Sequence, residues 1–170
     1  MMEIEELKRD GKAKGLCRPW QMKLKSGLSV EMLAKLYIKG IDFCISENFP
    51  TLSYMKEHYK GRCEPFGIYI DDEDVRGNNL HDVVLNGACK AVLEYDGYSV
   101  SRIYARHGAD VTVNISGNAL LTIDAFDEAR VTINAHGVKA KVLVNLYGNS
   151  RVESTTGGLI KVTFKYKETY

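Results

Sequence analysis

Ala109-Asp-Val-Thr-Val-Asn-Ile115, Ala119-Leu-Leu-Thr-Ile-Asp-Ala125, Ala129-Arg-Val-Thr-Ile-Asn-Ala135 and Ala140-Lys-Val-Leu-Val-Asn-Leu146 are four versions of one segment. They recur at a spacing of ten residues, with one insertion near Val138. Within each, apolar and polar residues alternate with period two, the pattern of a half-buried strand. Ala, Val or Leu, Val or Ile and a fourth apolar residue point in. A polar residue, Thr (Leu in the fourth segment) and Asn or Asp point out. Leu93, Ile103, Val113, Ile123 and Ile133 carry the same beat back through the chain, less evenly around Tyr95, Tyr98 and Tyr104.

The corners recur in step: Asp96-Gly97, His107-Gly108, Ser116-Gly117-Asn118, Phe126-Asp127-Glu128, His136-Gly137, Tyr147-Gly148-Asn149 and Thr156-Gly157-Gly158. Gly and Asn suit corners that need positive φ. Two architectures fit such a beat. In an antiparallel meander or sandwich each corner is a hairpin, so the leading Ala would alternate between the two ends of the sheet. In a β-solenoid equivalent positions stack with unchanged chain polarity and form ladders of like residues. The constant N-to-C polarity favours a short solenoid of about ten residues per strand-plus-corner. Thr112, Thr122 and Thr132 are then expected to form outward ladders, as are Asn114, Asp124, Asn134 and Asn145. Two segments per coil would place the nearest stacked neighbour about twenty residues away. The last segment, Ile160–Lys167, reads as a protected end, with Val162, Phe164 and Tyr166 inside and Lys161, Lys165 and Lys167 outside.

Before the acidic run Asp71-Asp72-Glu73-Asp74 the pattern is helical, and after it strand and turn dominate. This divides the chain into a helical docking or capping module, 1–75, and a solenoid, 76–170. Ser29 caps a helix with Glu31 in its first turn. Leu33, Leu36, Tyr37, Gly40, Ile41, Cys44 and Ile45 continue it as one apolar stripe, expected to cover the first coil, and Phe49-Pro50 ends it. Thr51 opens a second helix carrying Leu52, Met55 and Tyr59, stopped by Gly61. Residues 66–70 read as a strand. The acidic run lacks the residue order and distal Glu of an EF-hand and reads as a solvated loop.

The chain has 170 residues, 45% hydrophobic and 26% charged, with 23 Lys+Arg against 22 Asp+Glu. That is globular composition, and the balance excludes a grossly basic nucleic-acid coat or an acidic mimic. No apolar stretch is long enough to span a bilayer, and the start MMEIEELKRDGK is too polar for a secretory signal. No membrane partner is expected. Cys17, Cys44, Cys63 and Cys89 form no C-x-x-C pair, so reduced thiols and no metal site are expected.

No phosphate-binding, zinc-protease, nucleophile-elbow or dinucleotide motif is present. His58, His81, His107 and His136 are scattered. Asp124, Asp127 and Glu128 could be imagined as an acid–base group. Ladder and corner positions already account for them, so no catalytic residue, cofactor or enzymatic activity is expected. From Lys8 to Lys25 the chain is basic, with Asp10 as its sole acid. Lys8, Arg9, Lys12 and Lys14 form a candidate docking arm. The second helix offers no run of Arg, Asn or Gln to read base edges, so a protein partner is expected rather than nucleic acid.

The A-x-V-T-V/I-N/D beat with its Gly corners, from Ala109 to Phe164, resembles small uncharacterised β-solenoid proteins of bacteria and their phages. Gly40–Pro50 through Gly67–Asp71 resembles the front end of such proteins. The resemblance implies a structural or assembly role, in the host cytoplasm or, if phage-encoded, in a virion. The leading expectation is therefore a scaffold that self-associates and docks a protein partner. Leu120, Phe126, Leu143 and Tyr147 read as outward apolar residues needing cover, and so as a candidate association surface. A second expectation is a small-ligand or regulatory protein of phage–host conflict, with a pocket near Tyr95, Tyr98 and Tyr104. A third is a DNA-binding regulator using the basic arm.

Overall fold

The computed structural model describes residues 2–170 as two compact units, one helical and made of the residues up to Phe66 together with Tyr170, the other a β unit of Gly67–Thr169. The division falls before the acidic run, because residues 68–70 form a strand of the β unit.

In the helical unit, α1 (Met2–Ala13) and α2 (Arg18–Gln21) precede α3 (Val30–Lys39), α4 (Ile41–Ser46) and α5 (Leu52–His58). The Ser29 and Thr51 hydroxyls accept from the Met32 and Tyr54 N–H groups, so both caps act where the sequence puts them. The stripe expected as one helix is interrupted at Gly40, where φ is −106°. A Cβ there would lie in ordinary contact with the Trp20 ring, at 3.4 Å. Tyr37, Ile41, Cys44 and Ile45 are buried.

The β unit is a solenoid. Its strands are β1 (Ile68–Ile70), β2 (Val75–Asn78), β3 (Asp82–Asn86), β4 (Lys90–Tyr95), β5 (Val100–Ala105), β6 (Asp110–Ile115), β7 (Leu120–Ala125), β8 (Arg130–Ala135), β9 (Lys141–Leu146), β10 (Arg151–Thr156) and β11 (Leu159–Phe164). All pairings are parallel. Odd-numbered strands stack into a six-stranded sheet and even-numbered ones into a five-stranded sheet. The chain therefore passes from one sheet to the other at every corner. No hairpin occurs among the strands, which settles the choice between meander and solenoid.

Residues twenty apart lie in register, Val111 with Val131 and Leu121 with Ser101, for example. Inward residues form columns: Leu93, Val113 and Ile133 from one sheet, Ile103, Ile123 and Val144 from the other, each at most 1% exposed. These columns are the hydrophobic core of the β unit. Burying them removes apolar surface from water at roughly 25 cal/mol per Å², the main favourable term for a repeat of this kind. Glycines 97, 117 and 137 take φ of 59°, 64° and 85° at one corner. At the opposite corner the left-handed position is held by Gly87, His107, Asp127 and Gly148, so in His107-Gly108 it is the histidine that carries positive φ.

Two coils differ from the simple repeat. In the first, Leu80 fills the place in the core that a Gly77 side chain would occupy. In the last, the expected protected end is absent. Ile160 and Val162 point inward but are only half-buried, Phe164 is 59% exposed, and Tyr166 lies beyond the strand and is 94% exposed. Among the described residues no helix is long and apolar enough to cross a membrane.

Candidate functional site

Each sheet shows its outer face through three positions per strand. The third position of the five-stranded sheet holds Glu94, Asn114 and Asn134 in register. The Asn114 side-chain amide donates to Glu94 Oε1 at 2.7 Å, Asn134 donates to Asn114 Oδ1 at 2.9 Å, and Thr156 Oγ1 donates to Asn134 Oδ1 at 3.4 Å. The six-stranded sheet has its own pair, Asn145 donating to Asp124 Oδ1 at 2.6 Å. The expected Asn/Asp ladder is therefore two ladders. The Thr ladder divides likewise. Thr112 faces Thr132, but Thr122 sits on the other sheet between Arg102 and Leu143.

The first outward position contrasts the two sheets most sharply. On the five-stranded sheet it reads Lys90, Asp110, Arg130 and Arg151, with Arg130 bridged to Asp110 at 2.9 Å. On the six-stranded sheet the same column reads Val100, Leu120, Lys141 and Leu159. Leu143 lies diagonally beside Leu120 and Leu159. Val100, Leu120, Leu143 and Leu159 are 60%, 37%, 43% and 55% exposed. This aliphatic stripe on a parallel sheet is the candidate binding surface. Lys141, Lys161 and Arg102 surround it, the last paired with Asp82 at 2.9 Å.

Leu120 and Leu143 thus stand where the sequence puts them, on an exposed face. Phe126 and Tyr147 do not belong to that surface. They are 1% and 5% exposed and stack on each other at the corner, ring centroids 4.6 Å apart. At a corner the chain crosses from one sheet to the other, and there the residue after the last inward position packs on its counterparts in neighbouring coils instead of pointing to water. Arg106 and Asn86 occupy the same column, buried, with the guanidinium donating to Asn86 Oδ1 at 3.3 Å.

The three candidate carboxylates are each engaged by another coil: Asp124 by Asn145, Asp127 Oδ2 by the His107 N–H at 2.8 Å, Glu128 by Asn149 at 3.0 Å. His107 Nδ1 accepts from the Gly87 N–H at 3.0 Å. The acidic run behaves as a corner. Asp71 accepts from the Ala88 N–H, Asp72 from Ile70, and Asp74 pairs with Arg76. No group of three or more potential metal ligands occurs among the described residues.

Tyr95, Tyr98 and Tyr104 do not converge on a pocket. Tyr95 is buried in the core, Tyr98 is 85% exposed at a corner, and Tyr104 is buried on the outer side of its sheet. Burial, and next the neighbouring Tyr69, push the Tyr95 phenol pKa up. Burial likewise pushes the Cys89 thiol up to about 11.

Lys8, Arg9 and Lys12 of the basic arm lie in α1, and Lys14 follows its end. Ile4, Leu7 and Leu16 bury its apolar side. Arg9 faces Asp10 at 3.3 Å and Glu6 at 4.0 Å, and Lys14 Nζ donates to the Glu47 carbonyl at 2.5 Å. Lys8 is half-buried and Lys12 exposed. Beside Lys14 a cavity of about 200 Å³ is lined by Leu7, Asp10, Pro50 and Tyr54 among others. The four basic residues therefore share one helix and its end without forming a single free cationic patch. No protein-family model, curated protein or solved structure matches this chain.

Proposed function

We propose that this protein is a non-enzymatic structural and assembly component, in which the β-solenoid is a stiff support and the stripe of Val100, Leu120, Leu143 and Leu159 is the face that engages a protein partner. The observation that carries the reading is the contrast within one repeat position. The column is charged and bridged on one sheet, whereas on the other three of its four residues, Val100, Leu120 and Leu159, are aliphatic and exposed around Lys141. Exposed apolar groups lined up across successive strands mark association surfaces more often than scattered ones do. The ladders support the mechanical part of the reading. Outward Asn, Asp and Glu side chains bond along the stacking axis, so they brace neighbouring coils and present a regular surface. The resemblance to small bacterial and phage β-solenoid proteins extends the reading to particle or virion assembly.

The test is the size profile of the tagged full chain in extracts of its source cells, compared with Leu120→Lys/Leu143→Lys. The reading expects the unaltered chain to elute in a larger complex with a reproducible protein partner, and the double variant to elute free with its far-UV circular dichroism unchanged. Elution of both as free protein overturns the assembly reading. So does a nucleotide or sugar that raises the melting temperature by several degrees, which would favour a ligand-binding role.

A further inference from the structure

We propose that two copies of this chain associate tail to tail, β11 of one pairing antiparallel with β11 of the other. β10 and β11 are the last strands of their sheets, so each presents an unpaired edge. One coil earlier the inward residues Val142, Val144 and Leu146 are at most 3% exposed, whereas their counterparts Ile160 and Val162 are only half-buried and Phe164 is 59% exposed. The core thus ends in an incomplete layer that one more layer of strands would close.

The edge geometry specifies how. The Leu159 and Lys165 N–H groups donate to Ala140 and Leu146, at 3.0 and 2.9 Å. By the alternation of a parallel ladder, the N–H and C=O of Ile160, Val162 and Phe164 face the free edge. The residues with free backbone groups are therefore the residues with inward side chains. A two-fold axis at Val162 sets Ile160 across from Phe164 of the second copy and Val162 across from itself. Every edge N–H then meets a carbonyl, and every inward side chain stays inward. Lys161 falls opposite Thr163, so no like charges oppose each other directly. On β10, a two-fold about Val152 sets Arg151 across from Glu153 of the other copy, charges that already attract within one chain at 2.7 Å.

The tail leaves this edge open, because the Gly148 N–H donates to the Lys167 carbonyl at 3.0 Å and holds the tail against its own corner. At the other end the inward Val75 is only 3% exposed, and Leu80 fills the space in the core that Gly77 leaves. A head-to-tail stack needs both ends open and would grow into a filament. One open end gives a closed dimer. This proposal deepens the assembly reading by naming a second copy as one partner. It uses a surface separate from Leu120 and Leu143, so either test can fail without the other.

The experiment uses the full chain with Cys17→Ser, which removes the exposed thiol. Val162→Cys is compared with Leu120→Cys under mild oxidation. Directly opposed residues of a hydrogen-bonded antiparallel pair have Cα atoms about 5.5 Å apart, within disulfide reach. The proposal expects the unaltered chain to sediment as a dimer across a dilution series. Val162→Cys should form a covalent dimer while Leu120→Cys stays single, and Ile160→Lys should sediment as a monomer with its circular dichroism retained. A monomer at every concentration overturns it, as does cross-linking at position 120 with none at 162.

Discussion

The side-chain amide of Asn134 donates to Oδ1 of Asn114, twenty residues earlier and one coil away, at 2.9 Å. Asn114 in turn donates to Glu94. Each amide in the run both gives and receives, so Asn114 is a link between two neighbours. Asn114→Ala removes both bonds without removing core volume, and should cost roughly 1–2 kcal/mol in urea unfolding. Asn114→Asp should cost more at neutral pH, because it sets a second carboxylate against Glu94. An Asn114→Ala cost near zero would show that the ladder adds nothing to stability.

Phe126 and Tyr147 make a different kind of prediction, since both look like surface residues in the linear pattern. Phe126→Ala empties a buried site and ends a ring stack, so about 3–5 kcal/mol should be lost. Leu120→Ala, on the exposed stripe, should cost less than about 1 kcal/mol. Equilibrium denaturation of the two variants side by side measures the difference. Equal costs would contradict the burial assigned to the corner.

Gly97 and Gly117 share a corner and nearly the same φ, but not the same surroundings. A methyl group at Gly97 meets nothing within 4 Å, whereas at Gly117 it would come within 3.0 and 3.1 Å of the Gly97 backbone N and O. Gly97→Ala should therefore show only the left-handed backbone penalty, about 1–2 kcal/mol. Gly117→Ala should lose distinctly more, since neither backbone can yield without parting the coils. Melting temperatures of the two variants give the comparison.

Cys89 ties stability to alkaline pH. Its folded pKa is raised from an ordinary 9.0 to about 11, chiefly by burial. Between those values the folded chain keeps a proton that the unfolded chain has lost. Stability from this group is thus full below about 9 and declines as pH rises toward 11. Cys89 shares its column with Ala109 and Ala129, so alanine fits the site. Cys89→Ala should flatten the fall in stability between pH 9 and 11 relative to the unaltered chain. In the native protein, Cys17 should react with a thiol reagent well before Cys89.

Strand positions were legible in the sequence because alternation along a strand is a local property. From Ala109 to Leu146 the residues expected inside are inside, down to the alanines that open each segment. The Ser29 and Thr51 caps were legible for the same reason, since a cap bonds within its own first turn. The corners were not. Phe126 continues the alternation as an outward residue, but the chain has left its strand there and alternation no longer describes it. The end segment failed similarly. Val162, Phe164 and Tyr166 look like a closing inner face, yet closure depends on a further layer packed against it, and residues 165–170 leave Phe164 and Tyr166 exposed.

The sequence by itself determined the period, the inward and outward sets and the unchanging direction of each segment, because these are set by short-range sterics and by the exclusion of apolar groups from water. Only the tertiary structure decided which equivalent residues touch. Segments ten residues apart look alike but lie on opposite sheets, so Thr122 never meets Thr112, whereas Asn114 and Asn134 bond. The physical reason is that one coil takes two segments to close. Hydrogen bonding between coils then pairs each strand with the segment after next, and like residues reach one another only across that longer interval.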